Sequence, residues 1–171
     1  LIELKARIED VPQLRRILIK LGAQHVGTFH QVDTYFEVPK GRLKIRETSG
    51  RRLAELIYYE REDIRGPKRS RVYLIRFEDS EMLKRVLSRI LKKSVIVDKI
   101  REIYRYQGTQ IHLDKVDGLG EFIEFERKTS NPLKDREVLR RLMDKLALDM
   151  DRLEIFSYSD LLKKATRHRK I

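Results

Sequence analysis

The stretch EFIEFERK, Glu121 to Lys128, alternates apolar and charged side chains as a β-strand does. Phe122, Glu124 and Glu126 then lie on one face of that strand, so two carboxylates two residues apart point the same way. On an outer face this arrangement is ordinary. On an inner face it is costly, because desolvation and mutual repulsion both oppose ionisation, unless a cation lies between the carboxylates. The strand therefore indicates either a solvated surface or a buried cation site.

An internal repeat relates this strand to an earlier one. ELIYYER at residues 55–61 matches EFIEFER 66 residues later, at 121–127. A second match joins IED at 8–10 to FED at 77–79, each immediately before a predicted helix. Repeats of this kind constrain the architecture before any single strand is interpreted. The chain is therefore predicted to consist of two similar halves, each containing a strand, a helix and three strands.

Three helices are predicted from capping residues and from apolar stripes at helical spacing. They are predicted over residues 10–22, 80–93 and 131–146, with Asp10, Ser80 and Asn131 as their N-caps. About eight strands are enough to close a β-barrel, and the helices need an apolar sheet face to pack on. The predicted fold class is therefore α+β, an eight-stranded antiparallel closed β-barrel with helices packed outside. The predicted boundaries are one domain over 1–171, halves over approximately 1–65 and 70–130, and C-terminal helices over 131–171.

The composition narrows the class of partner. Lys and Arg number 39 against 27 Asp and Glu, a formal net charge of +12, which indicates an anionic ligand. The absence of Cys excludes disulfides, thiolate zinc sites and cysteine nucleophiles. No apolar run approaches the roughly 18 residues that a membrane span requires, and the N-terminus lacks the pattern of a signal peptide. We expect a soluble, cytoplasmic protein without a membrane partner.

Nucleic-acid binding is the rival interpretation of this charge. It predicts Lys and Arg on an exposed face with aromatic side chains for stacking. The helix at 80–93 offers the best such surface, but the strands interleave basic residues with carboxylates, which would weaken a groove for a phosphate backbone. Nucleic acid is therefore not the expected partner.

The charged faces of the strands would line the inside of the predicted barrel. For a single strand, an apolar core face and a charged solvated face is the ordinary interpretation. In a barrel covered by helices, however, the charged faces point into the lumen. The lumen then contains the cations Lys5, Lys44, Arg46, Lys99 and Arg101 and the carboxylates Glu3, Asp114, Glu124 and Glu126. Because carboxylates suit Mg²⁺ or Mn²⁺ and Arg and Lys suit phosphate oxygens, this set predicts a site for a metal-bound polyphosphate.

The order and spacing of the motifs resemble the CYTH superfamily, the triphosphate tunnel metalloenzymes, and most closely its CyaB or class IV adenylyl cyclase branch. The motifs are IELK at 2–5, QVDTYFEVPKGRLKIRE at 31–47, LIYYER at 56–61, GPKRSR at 66–71, DKIREIYRY at 98–106, HLDKVDGLGEFIEFE at 112–126 and SYSDLL at 157–162. The resemblance implies an eight-stranded barrel that binds ATP, thiamine triphosphate or inorganic triphosphate with a divalent metal. It further implies either hydrolysis of the triphosphate or cyclisation of ATP to cyclic AMP and pyrophosphate.

The resemblance also implies roles for individual side chains. The implied catalytic residues are Glu3, Lys5, Glu124 and Glu126. The implied metal ligands are Glu3, Asp114, Glu124 and Glu126, which would hold Mg²⁺ or Mn²⁺. The implied phosphate-binding residues are Lys5, Arg42, Lys44, Arg46, Arg69, Arg71, Lys99, Arg101 and Lys115.

Two departures from the family pattern leave the activity open. Leu1 stands where the family's ExExK motif begins with glutamate, although Glu3 and Lys5 match its other positions. The repeat places Glu60 opposite Glu126, at a tunnel position where many catalytic relatives carry lysine. The sequence is thus compatible with a cyclase, a triphosphate hydrolase or a protein that binds triphosphate or polyphosphate without turnover, in each case as a monomer or a homodimer.

One further residue lies beside the predicted acidic cluster. By strand parity His112 shares a face with Asp114 and could act as a base or a metal ligand. We expect it to be a partly buried, hydrogen-bonded histidine.

Overall fold

The computed structural model describes residues 1–168 and the side chains of residues 1–166. Residues 169–171, the end of the predicted C-terminal helical segment, lie outside the described residues. The strands are β1 Ile2–Arg7, β2 Gln24–Phe36, β3 Arg42–Thr48, β4 Ala54–Arg61, β5 Lys68–Phe77, β6 Lys93–Tyr106, β7 Thr109–Val116 and β8 Gly120–Arg127. The helices are α1 Val11–Lys20, α2 Ser80–Ile90, α3 Pro132–Lys145 and α4 Tyr158–His168, with a short 3₁₀ helix at Met150–Arg152.

The strands form one closed antiparallel barrel. Their order around the barrel is β1, β5, β4, β3, β2, β6, β7 and β8. This order is unchanged when β1 to β4 are exchanged for β5 to β8, as two similar halves require. Each half also has the predicted sequence of a strand, a helix and three strands. The predicted fold class, a closed eight-stranded barrel with helices outside, is therefore confirmed.

The main apolar core lies outside the barrel wall. Leu4 of β1 and Phe125 of β8 are fully buried against Leu18 of α1 and Leu139 of α3. The opposite faces of the same strands point into the barrel and carry charged side chains. Burial of the apolar faces beneath the helices thus turns the charged faces inward, as the strand parity predicted. In residues 1–168, the structure contains no helix with the length and hydropathy needed to cross a membrane.

The N-cap of the second helix lies one residue earlier than predicted, and the helix ends at Ile90 instead of residue 93. Its N-cap is Asp79, whose side chain accepts a hydrogen bond from the backbone N–H of Met82 at 2.9 Å. Ser80, the predicted cap, is instead the first helical residue, and its hydroxyl donates to Glu47 at 2.6 Å. Aspartate and serine are comparably good caps, so two in succession leave the boundary ambiguous in the sequence.

The repeat alignment is out of phase on β4. An offset of 66 residues pairs Glu60 with Glu126 and predicts that both face the tunnel. In the structure Tyr59 and Arg61 line the enclosed cavity, whereas Glu60 lies at the rim, 3.1 Å from the Lys40 ammonium. The expected tunnel position of Glu60 is therefore wrong. Because side chains alternate along a strand, a shift of one residue exchanges its two faces.

Candidate active site

The barrel encloses a cavity, here called the tunnel cavity, of about 210 Å³. Tyr35 and Arg61 also line a larger, more open cavity of about 770 Å³ at one end of the barrel, here called the outer cavity. The predicted site residues that line the tunnel cavity are Glu3, Lys5, Lys44, Arg46, Lys99, Arg101, Glu124 and Glu126. The structure therefore brings together eight side chains from four strands, β1, β3, β6 and β8.

One side of the tunnel, here called the basic wall, consists of Lys44, Arg46 and Lys99 around Asp33. The buried Asp33 carboxylate accepts hydrogen bonds from Lys44 Nζ at 2.7 Å, from Lys99 Nζ at 2.9 Å, and from Arg46 Nε and Nη2 at 2.7 and 2.8 Å. Burial opposes ionisation of this group, but Arg46, Lys44 and Lys99 hold the pKa of Asp33 well below its usual range. A single carboxylate faces three cations, so the wall has a net positive charge.

The excess of positive charge on the basic wall is evident at Lys99. Burial and the neighbouring Arg46 lower the pKa of this lysine well below its usual value, although Asp33 acts in the opposite direction. The same carboxylate raises the pKa of Arg46 against the effect of burial. By its hydrogen bonds, the one carboxylate of Asp33 balances only part of the positive charge of Lys44, Arg46 and Lys99. A bound anion would favour the charged form of Lys99.

The opposite side, here called the acidic wall, carries Glu3, Asp114, Glu124 and Glu126. Arg101 donates two hydrogen bonds to Asp114, at 2.7 and 2.6 Å, and one to Glu124 at 2.6 Å. Lys5 Nζ lies 3.4 Å from Glu124 Oε1. Two of the five predicted lumen cations, Lys5 and Arg101, therefore neutralise this wall and do not belong to the basic wall.

Tyr158 at the start of α4 completes the acidic wall. Its hydroxyl donates to Asp114 at 2.7 Å, and Lys5 Nζ lies 3.7 Å from the centre of its ring. Asp114, a predicted metal ligand, is therefore engaged by both Arg101 and Tyr158. Glu3, another predicted ligand, accepts a hydrogen bond from Arg61 at 2.9 Å. Burial and the nearby Glu124 raise the pKa of Glu3, while Arg61 opposes that effect.

Glu124 and Glu126 lie together with His112, which strand parity placed beside the acidic cluster but which is not among the four implied metal ligands. One potential ligand atom from each lies within 4.8 Å of the other two. His112 Nδ1 is 3.7 Å from Glu124 Oε2 and 3.9 Å from Glu126 Oε1. Two carboxylates and an imidazole are donors that divalent cations accept, so these residues fit one bound ion. Of the four predicted metal ligands, two belong to this group.

Three predicted phosphate-binding residues line the outer cavity, and one lies elsewhere. Arg42 bonds Asp160 of α4 at 2.8 Å, while Arg69 and Arg71 are exposed at the rim. Lys115 is exposed on the outer face of β7, because its neighbour Asp114 points inward. The structure does not bring Lys115 together with the other predicted site residues.

Two buried cations of the site were missed by the sequence reasoning. Lys68 Nζ donates to the carbonyl oxygens of Glu154 and Ile155 at 3.0 and 2.9 Å, and Arg61 Nη2 donates to Ile155 at 3.1 Å. Burial lowers the pKa of Lys68 to about 8. These bonds hold the chain segment that leads to Tyr158 against the barrel. Lys68 belongs to the GPKRSR motif, which could have identified it. Arg61 was missed because the repeat alignment placed Glu60, and not Arg61, on the inner face of β4.

Comparisons with known proteins agree with this geometry. The family model described as the CYTH domain matches residues 1–154. The curated protein "Putative adenylate cyclase MJ0240" of Methanocaldococcus jannaschii is 28% identical over 170 residues, which cover 94% of this chain and 95% of the relative.

Solved structures show the same fold. The PH1012 protein of Pyrococcus horikoshii OT3 matches with a TM-score of 0.84 and 29% identity, covering 94% of this chain and 98% of that chain. The Hippeastrum protein HpAC1, whose structure is described as revealing a dominant triphosphatase activity, matches with a TM-score of 0.67 and 16% identity, covering 96% and 95% of the two chains. At that identity the second likeness concerns the fold alone. Because the family model spans most of the sequence, the chain belongs to the CYTH domain family.

Proposed function

We propose that the protein binds the triphosphate group of its substrate in the tunnel cavity together with a divalent cation, and hydrolyses it. The observation that carries this proposal is the charge distribution of the cavity. Its basic wall has three cations for one carboxylate, and its acidic wall places Glu124 and Glu126 beside His112. A triphosphate is a polyanion that can neutralise the first wall, and a divalent cation can neutralise the second.

Phosphoryl transfer needs mainly positioning and neutralisation of charge, which these side chains would provide. Lys44, Arg46 and Lys99 would hold the phosphate oxygens and stabilise the negative charge that they carry in the transition state. A divalent cation held by Glu124 and Glu126 would supply further neutralisation of phosphate charge.

A carboxylate near the same position would orient the attacking water. Glu3 lies opposite Glu126 across the β1–β8 pair, and its Oε1 accepts the Arg61 hydrogen bond. Its second oxygen, Oε2, would accept the proton of the water as the water oxygen bonds to the terminal phosphorus and the bridging P–O bond breaks, releasing the rest of the substrate as a diphosphate. Arg61 would hold the carboxylate in place during this transfer, because the guanidinium is itself fixed to the Ile155 carbonyl oxygen.

Cyclisation of ATP is a second candidate, favoured by the outer cavity. That cavity, at about 770 Å³, adjoins the tunnel cavity at Tyr35 and Arg61 and has room for a nucleoside. In this reaction the ribose 3′-hydroxyl would attack the α-phosphorus and pyrophosphate would depart. The M. jannaschii relative carries an adenylate cyclase name, which supports testing this reaction beside hydrolysis.

Product analysis tests the proposal directly. The protein is incubated with inorganic triphosphate and, separately, with ATP, each with Mg²⁺ or Mn²⁺ and at moderate and high temperature. Orthophosphate release is the expected result, whereas cyclic AMP with pyrophosphate would establish the second candidate. The Glu126→Gln variant, purified identically, controls for contaminating phosphatases. A rise in Tm with triphosphate but without products would indicate binding alone, and no rise and no products would refute the proposal.

A further inference from the structure

The His112 imidazole is buried in the barrel with one ring nitrogen unpartnered. The residue is 2% exposed, and its Nε2 lies 3.3 Å from Gln110 Oε1. Because an amide oxygen only accepts hydrogen bonds, Nε2 carries a proton, and in the neutral ring Nδ1 therefore carries the lone pair. Within the described part of the chain, Nδ1 has no hydrogen-bond partner. A buried polar atom without a partner is costly, and a cation bound at Nδ1 would remove that cost.

The register of the sheet directs this nitrogen toward two carboxylates. His112 on β7 lies opposite Glu124 on β8, and Glu126 follows on the same face. The distances from Nδ1 to the two carboxylate oxygens, 3.7 and 3.9 Å, are too long for hydrogen bonds. They do fit one shared ion, because two ligands that each bind at about 2.1 Å can be separated by up to about 4.2 Å.

We propose that His112 Nδ1 is a direct ligand of the divalent cation in the tunnel, together with Glu124 and Glu126, and that this nitrogen makes the site select Mn²⁺ over Mg²⁺. The inference deepens the proposed function and rests on it for the role of the ion. Mg²⁺ prefers oxygen ligands and gives up its waters reluctantly, whereas first-row transition ions accept imidazole readily. The bond from Nε2–H to Gln110 fixes the tautomer that ligation requires, as the outer partners of metal-binding histidines do.

The competing explanation is an imidazolium that pairs electrostatically with both glutamates. In that state Nδ1–H would be a donor, and a charge-assisted hydrogen bond to a carboxylate is typically about 2.7–2.9 Å long. Both distances from Nδ1 are longer than 3.5 Å, so the geometry favours a lone pair directed into a shared site.

The test uses the intact protein with MnCl₂ alone, without triphosphate. Electron paramagnetic resonance measures Mn²⁺ binding, and electron spin-echo modulation detects a directly bound nitrogen. We expect nitrogen modulation at one equivalent of Mn²⁺. The His112→Asn variant, which offers an amide in place of the imidazole, should lose the modulation and bind Mn²⁺ at least about tenfold more weakly. Its Mg²⁺ affinity, measured by competition, should change much less.

Two controls keep the result specific. His25→Asn alters an exposed histidine that contacts Tyr104 on the outside of the barrel, and this variant should retain the modulation. If His112→Asn fails to fold, the measurement on the unmodified protein and on His25→Asn still decides the question. Bound Mn²⁺ without nitrogen modulation overturns the inference.

Calorimetry separates this inference from the proposed function. Inorganic triphosphate is titrated into the protein in the presence of Mg²⁺. Binding of triphosphate together with absent nitrogen modulation would overturn His112 ligation and leave the proposed function standing. Nitrogen modulation without triphosphate binding would support the ligand assignment and refute the proposed function.

Discussion

The basic and acidic walls of the tunnel differ in how their charges are neutralised. On the basic wall Asp33 serves three cations at once, so each depends on the same carboxylate. On the acidic wall Glu3, Asp114 and Glu124 have Lys or Arg partners, whereas Glu126 has none among the described side chains of residues 1–166 and lies near His112. The difference separates two roles. Charges that neutralise each other hold the barrel together, and the excess charge on each wall remains for ligands.

Removal of the carboxylate from the basic wall should have the largest effect. The Asp33→Asn substitution leaves Lys44, Arg46 and Lys99 buried together without their shared anion. Breaking a buried ion pair from one side typically costs about 3–5 kcal/mol, and we expect a loss of that size in the free energy of unfolding. Urea denaturation followed by circular dichroism measures it.

A surface carboxylate supplies the matched control for Asp33. Asp98 on β6 contacts His30 at 2.8 Å in an exposed position, so Asp98→Asn should cost less than about 1 kcal/mol. Inorganic triphosphate should raise the Tm of Asp33→Asn more than that of the unmodified protein, because the added anion takes the place of the carboxylate. Equal losses for the two variants would contradict the central role of Asp33.

Lys68 tests what happens when a buried cation is bonded by carbonyl oxygens instead of a carboxylate. Its pKa is lowered from 10.5 to about 8 in the folded protein, so between these values the unfolded chain binds more protons. Stability should therefore rise with pH across this window, by at most about 3–4 kcal/mol from this group. Denaturation midpoints at pH 7.5 to 10.5 measure the slope for the protein and for Lys68→Met. The variant should lack this contribution, and identical slopes would contradict the assignment.

Substitution of Glu126 should affect ligand binding more than stability, whereas substitution of Asp33 should affect stability strongly. Its side chain is partly exposed in the tunnel cavity and, among the described side chains, has no Lys or Arg recorded within ion-pair distance; its neighbour is the His112 ring. Glu126→Gln should change the free energy of unfolding by less than about 0.5 kcal/mol. It should weaken Mn²⁺-dependent binding of triphosphate at least about tenfold, or about 1.4 kcal/mol. Calorimetry and urea denaturation on the same preparation measure the two effects. A loss of stability without a loss of binding would reverse the roles assigned to the two walls.

Much of the fold was predictable because strand parity and helix packing depend on local patterns. The alternation in EFIEFER and in DKIREIYRY separates the apolar outer face from the charged inner face without any knowledge of partners. Register between strands was less predictable. The offset of 66 aligns similar residue types on β4 and β8 but exchanges the faces of Glu60 and Arg61. Similarity of residue types alone does not distinguish two alignments that differ by one residue, although that shift exchanges the two faces of a strand.

The sequence predicted which residues line the tunnel better than it predicted which of them form ion pairs with each other. Parity placed Lys5 and Arg101 in the lumen but could not show that they neutralise the acidic wall. Asp33 shares its face with Tyr35, so it was available to the same reasoning, and the need of three buried cations for an anion would have identified it. His112 was placed beside the acidic cluster correctly. The unpartnered Nδ1 of His112 could not be predicted, because it depends on the contact of Nε2 with Gln110, and strand parity does not give side-chain contacts.

Substitution of cations outside the tunnel cavity should have the smallest effect on triphosphate affinity. These substitutions therefore serve as the reference for the effects inside the tunnel. Arg71 at the rim of the outer cavity can attract an anion only through solvent, so Arg71→Ala should weaken triphosphate binding less than about fivefold at low salt. That loss should vanish at high salt, because the screening length falls to about 3 Å near 1 M. Lys115→Ala removes the same charge from the outer face of β7 and should leave the affinity unchanged. Calorimetry with inorganic triphosphate at two salt concentrations measures both variants. If Lys115→Ala lost as much affinity as Arg71→Ala, net charge and not position in the tunnel would govern binding, and the distinction between the walls would have no bearing on the ligand.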